Sequence, residues 1–204
     1  MKKKLVLDTS IFVNPASAAA FGSSPTAALA AFLEQAKQAD VELLMPPSIY
    51  AELMCFAEEA KISKALLLLI HRKPPKKHET RIPGVFIYSL VESMRDRVDR
   101  GLRLAERHVR ESLQAPAAQS AAGDKPVRAD AEAISRLRES YRRIMREGML
   151  DSRADVDLLL LAYEVDGLLV SADQGVLSWA ENLGISILSY DHLRDFLVEQ
   201  NSNR

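Results

Sequence analysis

The amino-terminal part of the chain alternates between short apolar runs and segments with helical periodicity. The apolar run at 5–7 ends at Asp8, which is typical of a strand buried in a parallel sheet. Ser24 followed by Pro25 marks a helix start, because serine can cap the helix and proline fits its first turn. The pattern predicts strands over 4–8 and 41–45, helices over 24–38, 46–60 and 63–72, and a basic, proline-rich loop over 72–81.

The central stretch, 83–147, has a different pattern, in which apolar residues recur every three or four positions as in paired helices. One seam comprises Val91, Met94, Val98, Leu102, Ala105, Val109 and Leu113, and a second comprises Ile134, Leu137, Tyr141 and Ile144. An alanine-rich segment with Pro116, Gly123 and Pro126 separates them and predicts a loop over 114–128. We therefore expect a helical hairpin whose first arm, over 85–114, is about 45 Å long.

The last stretch, 148–204, returns to the alternation of the first. The pattern predicts helices over 151–165, 175–182 and 191–200 and strands over 167–171 and 185–189. Strands and helices thus alternate on both sides of the hairpin, which predicts an α/β fold with one parallel sheet flanked by helices. In this interpretation 1–82 and 148–204 form one domain, and 83–147 is an insertion.

Composition and charge narrow the class of protein. Hydrophobic residues make up 48% and charged residues 27% of 204 residues, as in ordinary folded proteins. A single cysteine, Cys55, excludes a disulfide-rich secreted scaffold, and no apolar run is long enough to span a membrane. We therefore expect a cytoplasmic protein. The net charge is −1, so the protein as a whole does not have the charge of a polyanion binder. Residues 83–147 carry 13 basic and 10 acidic residues, and any contact with nucleic acid must come from such an uneven distribution of charge.

Four aspartates carry the candidate chemistry. Asp8 ends one predicted strand, Asp173 follows another, and Asp151 and Asp155 lie four apart on one face of a helix start. Ligand sites in parallel sheets form beyond the carboxyl ends of the strands, so these side chains can meet in one crevice. Four carboxylates together require a strong positive charge, and Mg²⁺ or Mn²⁺ is the cation that carboxylate oxygens suit best.

Each of these acids also has a structural explanation. Asp151 can be a helix N-cap, Asp155 a first-turn acid favoured by the helix dipole, and Asp173 a turn residue. Thr9 and Ser10, beside Asp8, can orient its carboxylate or be simple turn hydroxyls. Asp157 lies about 200° around the helix from Asp155, so it is expected to point elsewhere.

Three segments carry a family resemblance. Residues 5–13, Leu-Val-Leu-Asp-Thr-Ser-Ile-Phe-Val, resemble the opening strand of PIN-domain nucleases, and 155–173 resemble the second half of that domain. Residues 47–53, with Glu52, fit the helix that supplies a further acid in that family. A PIN domain with an arginine-rich helical insertion, at this length, resembles the small protein-only RNase P family called HARP.

The resemblance implies removal of the 5′ leader from precursor tRNA without a catalytic RNA. It implies that Asp8, Asp151, Asp155 and Asp173 are catalytic and bind metal, with Glu52 as a further acid that could equally be a surface residue. It also implies homo-oligomers that assemble through the hairpin. The short apolar runs noted above predict that no membrane is a partner.

Two basic segments are candidates for RNA contact. Arg100, Arg103, Arg107 and Arg110 follow one stripe of the first hairpin helix, and arginine binds phosphate in a bidentate manner. Acids interleaved at three and four positions by themselves favour a solvated helix with ion pairs, and the resemblance reverses that preference toward RNA binding. Lys76 and Lys77 in the proline-rich loop form the second candidate.

Three other functions share part of this pattern. A toxin ribonuclease of the PIN type would have the same aspartates without needing the hairpin. A non-catalytic RNA-binding protein would be expected to lack one of the four acids, and all four are present. A phosphatase of the haloacid dehalogenase type requires a second aspartate two residues after the first, where this chain has Ser10.

Overall fold

The computed structural model describes residues 2–114, 127–146, 150 and 152–202. Its strands are β1 (Lys3–Leu7), β2 (Val41–Met45), β3 (Ile70–Arg72) and β4 (Leu168–Val170). Its helices are α1 (Ser10–Val13), α2 (Pro15–Ala18), α3 (Pro25–Ala36), α4 (Pro47–Phe56), α5 (Lys64–Leu67), α6 (Gly84–Gln114), α7 (Val127–Arg146), α8 (Arg153–Val165), α9 (Gln174–Leu183) and α10 (Tyr190–Ser202), with a short 3₁₀ helix at Glu59–Lys61.

The four strands form one parallel sheet in the order β3-β2-β1-β4. The central strand β1 places Leu5 opposite Leu43 of β2 and Leu168 of β4. Leu5, Val6 and Leu7 have no exposed surface, because side chains on both faces of the strand are covered. The sheet confirms the predicted α/β fold, and its order brings the two ends of the chain side by side.

Three local predictions differ from the structure. Residues 70–72 form strand β3 on the edge of the sheet, whereas the pattern predicts a helix over 63–72. Residues 185–189 contribute only a single parallel bridge, between Ile187 and Leu169, instead of a full strand. The short helices α1 and α2, which follow β1 directly, have no signal in the hydrophobic pattern. Each of these segments is too short for its periodicity to distinguish helix from strand.

The chain divides into two compact units. The α/β unit comprises Met1–Pro83 and Leu150–Arg204, and the hairpin unit comprises Gly84–Met149. In the hairpin unit α6 packs on α7, and most of the predicted 114–128 loop lies outside the described residues. Gly101 permits the close approach of Tyr141, since a Cβ atom there would lie 2.8 Å from the tyrosine ring.

The apolar stripe predicted as the seam of the first hairpin helix is largely exposed. The large members whose side chains the structure describes are between 49% and 67% exposed, namely Val91, Met94, Val98, Leu102 and Val109. Leu104, which lies off that seam, is only 5% exposed, and Gly101 is also buried. Helix α6 therefore buries a neighbouring face, and the apolar stripe is left at the surface. None of the helices in the described ranges has the length and apolar composition needed to cross a membrane.

Candidate active site

The candidate site lies at the carboxyl ends of the two adjacent strands β1 and β4. Asp8 follows β1 directly, and its backbone N–H donates to the carbonyl of Val170, the last residue of β4, at 3.0 Å. Asp173 lies three residues beyond Val170. Because β1 and β4 are neighbours in a parallel sheet, residues separated by more than 160 positions end at the same edge.

Two serine hydroxyls hold the carboxylate of Asp8. Ser10 Oγ and Ser171 Oγ donate to the same oxygen, Oδ2, at 2.5 and 2.6 Å. Each hydroxyl in turn accepts from a backbone N–H, that of Ala172 at 2.8 Å and that of Asp173 at 3.0 Å. Since the backbone groups occupy an acceptor position on each hydroxyl, the hydroxyl protons are directed at Asp8.

Asp173 has a structural role as well as a place in the site. Its Oδ1 accepts from the backbone N–H of Gly175 at 2.6 Å and of Val176 at 3.3 Å, so it is the N-cap of α9. The sequence position of Asp173 allowed a structural role in a turn, and its side chain does bind the backbone of the turn that begins α9. This cap also fixes the direction of the carboxylate, because one of its oxygens is held against the helix end.

Asp155 lies in the first turn of α8, whose N-cap is Ser152. Ser152 Oγ accepts from the backbone N–H of Asp155 at 3.0 Å. Asp151, predicted as a metal ligand or as this N-cap, lies outside the described residues. The capping position itself is filled by its neighbour Ser152.

Glu52 projects from α4 into the same cleft as the aspartates. The cleft has a volume of about 420 Å³. It is lined by Asp8, Thr9, Ser10, Val13, Asn14, Glu52, Phe56, Asp155 and Asp173. Four of these side chains are carboxylates, and none of this described lining is basic. The structure therefore brings together Asp8, Glu52, Asp155 and Asp173, the described members of the predicted set.

Sequence reasoning missed three polar or aromatic neighbours of the carboxylates. Asn14 and Phe56 line the cleft, and Ser171 binds Asp8. Asn14 and Phe56 lie at helix ends. Hydrophobic periodicity does not show there which way a side chain points. Ser171 had a signal, because it lies two residues before Asp173, as Ser10 lies two residues after Asp8.

Burial and like charge raise the proton affinity of two of these acids. Asp8 is 6% exposed, and burial raises its pKa. Hydrogen bonds from Ser10, Ser171 and the backbone of Thr9 oppose that rise, and the charge of Asp173 adds to it. The pKa of Glu52 is raised by burial and by the charge of Asp8. Burial and like charge therefore make the ionised forms of Asp8 and Glu52 less favourable than they are in water.

The donor set fits a divalent metal ion. Among the described residues, the lining offers carboxylate and hydroxyl oxygens and no thiolate or imidazole, which is the chemistry that Mg²⁺ or Mn²⁺ prefers. Within the described ranges, no three Asp, Glu, His or Cys side chains form a ready-made metal-binding group. The described acids line the walls of the cleft instead. Asp151 lies outside the described residues, so this statement does not include it.

The basic loop after β3 is fastened to α8 by two acids. Lys77 Nζ lies 2.6 Å from Asp157 Oδ1, and Ser48 Oγ donates to Asp157 Oδ2 at 3.1 Å. Lys73 Nζ lies 3.0 Å from Glu164 Oε1. The backbone N–H of Lys76 donates to Glu164 Oε2 at 2.7 Å, and its ammonium pairs with Glu79. Asp157 thus points away from the cleft, as predicted, and joins α8 to both the loop and the start of α4.

The predicted arginine stripe lies in the hairpin unit. Arg103, Arg107 and Arg110 are exposed, and Arg100 is half-buried with its Nε donating to the carbonyl of Asp96 at 3.4 Å. Arg110 makes one long contact, 3.9 Å, with Glu106. Such exposed pairs contribute little energy, so these side chains can exchange partners at small cost.

Comparison with known proteins covers both units. Residues 4–201 match the family described as PINc domain ribonuclease. A Pyrococcus horikoshii protein called RNA-free ribonuclease P is 46% identical over 198 residues, covering 96% of this chain and 92% of that protein. A protein of the same name from Thermodesulfovibrio yellowstonii is 41% identical, covering 97% and 94%. Another from Halorhodospira halophila is 38% identical, covering 94% and 88%.

Proposed function

This chain belongs to the PIN-domain ribonucleases of the RNA-free ribonuclease P family, and we propose that it removes the 5′ leader from precursor tRNA and leaves a 5′-phosphate on the tRNA. It is a protein-only endoribonuclease and needs no RNA subunit. The observation that carries the proposal is the carboxylate cleft at the ends of β1 and β4, with four acids and no basic residue in its described lining.

Divalent-metal dependence is general among PIN nucleases, and the oxygen donors of the cleft fit it. We propose that Asp8, Asp151, Asp155 and Asp173 hold Mg²⁺, or Mn²⁺, with Glu52 as a further acid. A bound divalent ion supplies neutralising charge and activates water for attack at phosphorus. Burial and like charge raise the pKa of Asp8 and of Glu52, and the positive charge of a bound ion would oppose both effects.

The other polar groups of the site act by positioning. Ser10 and Ser171 hold one oxygen of Asp8, which keeps the carboxylate in one orientation and favours its charged form. Thr9 Oγ1 donates to the carbonyl of Ile49 at 3.2 Å, which ties the end of β1 to the helix that carries Glu52. These contacts restrict the freedom of the acids before substrate binds.

The hairpin unit is proposed to hold RNA and to assemble the enzyme. Arg100, Arg103, Arg107 and Arg110 would bind the phosphate backbone, together with Lys76 and Lys77 of the α/β unit. The exposed apolar stripe of α6 supports a homo-oligomer, because a stripe of this length is seldom left in water. We propose accordingly that cleavage belongs to the domain formed by 1–82 and 148–204, and recognition to the insertion 83–147. We also propose that the protein is cytoplasmic.

Cleavage of precursor tRNA by the purified protein in Mg²⁺ tests the function directly. We expect one cut at the junction of leader and tRNA, with a 5′-phosphate on the tRNA. Asp8→Asn and Asp173→Asn should each lower the cleavage rate by more than about 100-fold, because each removes a proposed metal ligand. Asp8→Asn should not lower the melting temperature in EDTA, since it removes a buried charge.

Asp195→Asn is the matched control, because Asp195 is an exposed acid on α10 and does not line the cleft. It should cleave at the parental rate. Undiminished cleavage by Asp8→Asn, or by the parent in excess EDTA, would contradict the proposed site. Equal cleavage of unstructured RNA would indicate a general ribonuclease of the toxin type instead.

A further inference from the structure

Phe56 is an aromatic residue exposed in the carboxylate cleft. It is the last residue of α4, one helical turn after Glu52, so both side chains lie on the same side of the helix. Its ring lines the cleft together with Asp8, Asp155 and Asp173. The side chain is nevertheless 51% exposed, so much of the ring faces solvent.

The exposure of this ring contrasts with the aromatic residues of the core. Phe12, Phe21 and Phe32 are buried, and Phe12 and Phe21 each pack edge to face on Phe32. The large apolar side chains exposed in the described part of the α/β unit are Phe56, Leu68, Val156 and Val198. Among these, Phe56 alone is aromatic and alone lines the cleft. It therefore contributes less to the core than to the surface of the site.

The chemistry of the cleft limits what this ring can bind. The other side chains of the described lining are four carboxylates, three small polar groups and Val13, so phosphate groups find no basic partner there. A neutral aromatic face is attractive to a nucleobase, because stacking does not depend on charge or on base identity. The ring is thus the group of the cleft best suited to hold a base.

The proposed reaction restricts which base is available. Bases of the acceptor stem are stacked inside an A-form duplex, whereas the leader nucleotide next to the cut is unpaired and can present its face. We propose that Phe56 stacks on the unpaired leader base adjacent to the cleaved bond and so positions that bond at the carboxylates. This inference rests on the proposed function and adds a substrate contact to it.

The test pairs a change in the protein with a change in the substrate. One precursor-tRNA transcript is made with a normal leader nucleotide next to the cut and again with an abasic ribose there. With the parent protein, loss of the base should lower kcat/KM by roughly 5- to 100-fold. Phe56→Leu should lose the same factor on the normal substrate and should cleave both substrates equally. Phe56→Trp keeps an aromatic face and should retain the preference for the normal nucleotide.

Leu68→Ala is the control, since Leu68 is an exposed apolar residue of the same unit outside the cleft, and it should behave as the parent. The inference is overturned if Phe56→Leu matches the parent on the normal substrate, or if it remains as sensitive to the abasic ribose as the parent. Should Phe56→Leu melt at a lower temperature, the ratio of its rates on the two substrates decides the matter, because a folding defect lowers both rates alike and leaves that ratio as in the parent. Failure of the parent to cleave either precursor at the leader junction refutes the proposed function itself, and is thereby distinguished from failure of stacking.

Discussion

At the scale of single residues, Asp8 shows how the site keeps a buried carboxylate in place. Its oxygen Oδ2 accepts from two hydroxyls that come from opposite ends of the chain, Ser10 and Ser171. Hydrogen bonds of this kind to a charged acceptor are stronger than those between neutral groups. They oppose the effects of burial and of Asp173, both of which raise the pKa of Asp8. The serines are therefore expected to matter for activity although they need not touch the substrate.

Ser171→Ala tests this positioning role. The variant removes one of the two hydroxyl donors to Asp8, so we expect a 10- to 100-fold loss, roughly, in apparent metal affinity or in activity. The measurement is the Mg²⁺ concentration that gives half-maximal cleavage. Ser17→Ala controls for the loss of a buried hydroxyl beside the site, because Ser17 is an equally buried serine whose hydroxyl donates to the backbone carbonyls of Ser10 and Asn14 and not to a carboxylate. Equal Mg²⁺ requirements for parent and Ser171→Ala would contradict the role.

At the scale of elements, α8 connects parts of the α/β unit that are distant in sequence. Its first turn carries Asp155, which lines the cleft. Asp157 and Glu164 are seven residues apart, share a different face of the helix and do not line the cleft. Asp157 binds the start of α4, which carries Glu52, and Glu164 binds the loop after β3. Two elements that carry site acids are thus held together by contacts outside the site.

The Glu164 contact predicts a pH-dependent contribution to stability. Burial alone would raise the pKa of Glu164, but the backbone N–H of Lys76 and the charges of Lys73 and Lys76 outweigh it, so the pKa lies below the usual 4.5. The contact therefore stabilises the fold above pH 4.5 and is lost as pH falls through the folded-state pKa. Glu164→Gln should cost about 1 kcal/mol near neutrality.

Thermal or urea unfolding from pH 7 to pH 3 measures this effect. The difference between parent and Glu164→Gln should shrink as the solution is acidified below pH 4.5. Glu199→Gln, at an exposed position on α10, is the matched control and should unfold as the parent at each pH. A difference between parent and Glu164→Gln that stays constant over this range would show that charge is not the source of the stabilisation.

At the scale of the whole molecule, the chain combines an anionic cleft in one unit with an arginine-rich hairpin in the other. The α/β unit is assembled from both ends of the chain, and the hairpin unit lies between them in sequence. The hairpin exposes both a basic stripe and an apolar stripe on α6. Because an exposed apolar stripe favours association and a basic stripe favours polyanion binding, recognition and assembly are the roles that we propose for this unit.

Assembly through the hairpin predicts a particle well above the chain mass of 22.6 kDa. Replacing Val98 and Leu102 together by glutamine should shift the mass from light scattering toward that of one chain, because these residues lie in the exposed stripe. Val198→Gln changes an equally exposed apolar residue on α10 and should leave the mass unchanged. A parent protein that is monomeric at micromolar concentration would count against assembly.

RNA binding by the hairpin predicts a change in salt dependence. Replacing Arg103, Arg107 and Arg110 together by alanine should weaken precursor-tRNA binding and lower the slope of log affinity against log salt by about 2 to 3. A second triple variant, with Arg136, Arg138 and Arg142 of α7 changed to alanine, matches it in charge and controls for net charge. If both triples behave alike, or if the first matches the parent with assembly intact, the stripe is not the RNA contact, and Lys76 and Lys77 become the better candidates.

The sequence by itself determined the features that depend on neighbours along the chain. The apolar run before Asp8, the serine and proline at the start of α3, and the acid after β4 are local signals. They were sufficient to predict a parallel sheet with acids at the ends of its strands, because periodicity, capping and strand ends are set within a few residues. The change of period over 83–147 is likewise a local signal, and the hairpin insertion is predicted from it.

Only the tertiary structure decided the features that depend on partners distant in the chain. Residues 70–72 are a strand because β2 offers them a hydrogen-bonded edge, which no local pattern records. Helix α6 has two adjacent faces that could pack, and in the folded chain Leu104 and Gly101, which Tyr141 approaches, are buried while Val98 is exposed. Likewise, Ser171 reaches Asp8 and Phe56 reaches the cleft only because strand order and helix direction bring them there, since sequence separation says nothing about distance in a folded chain.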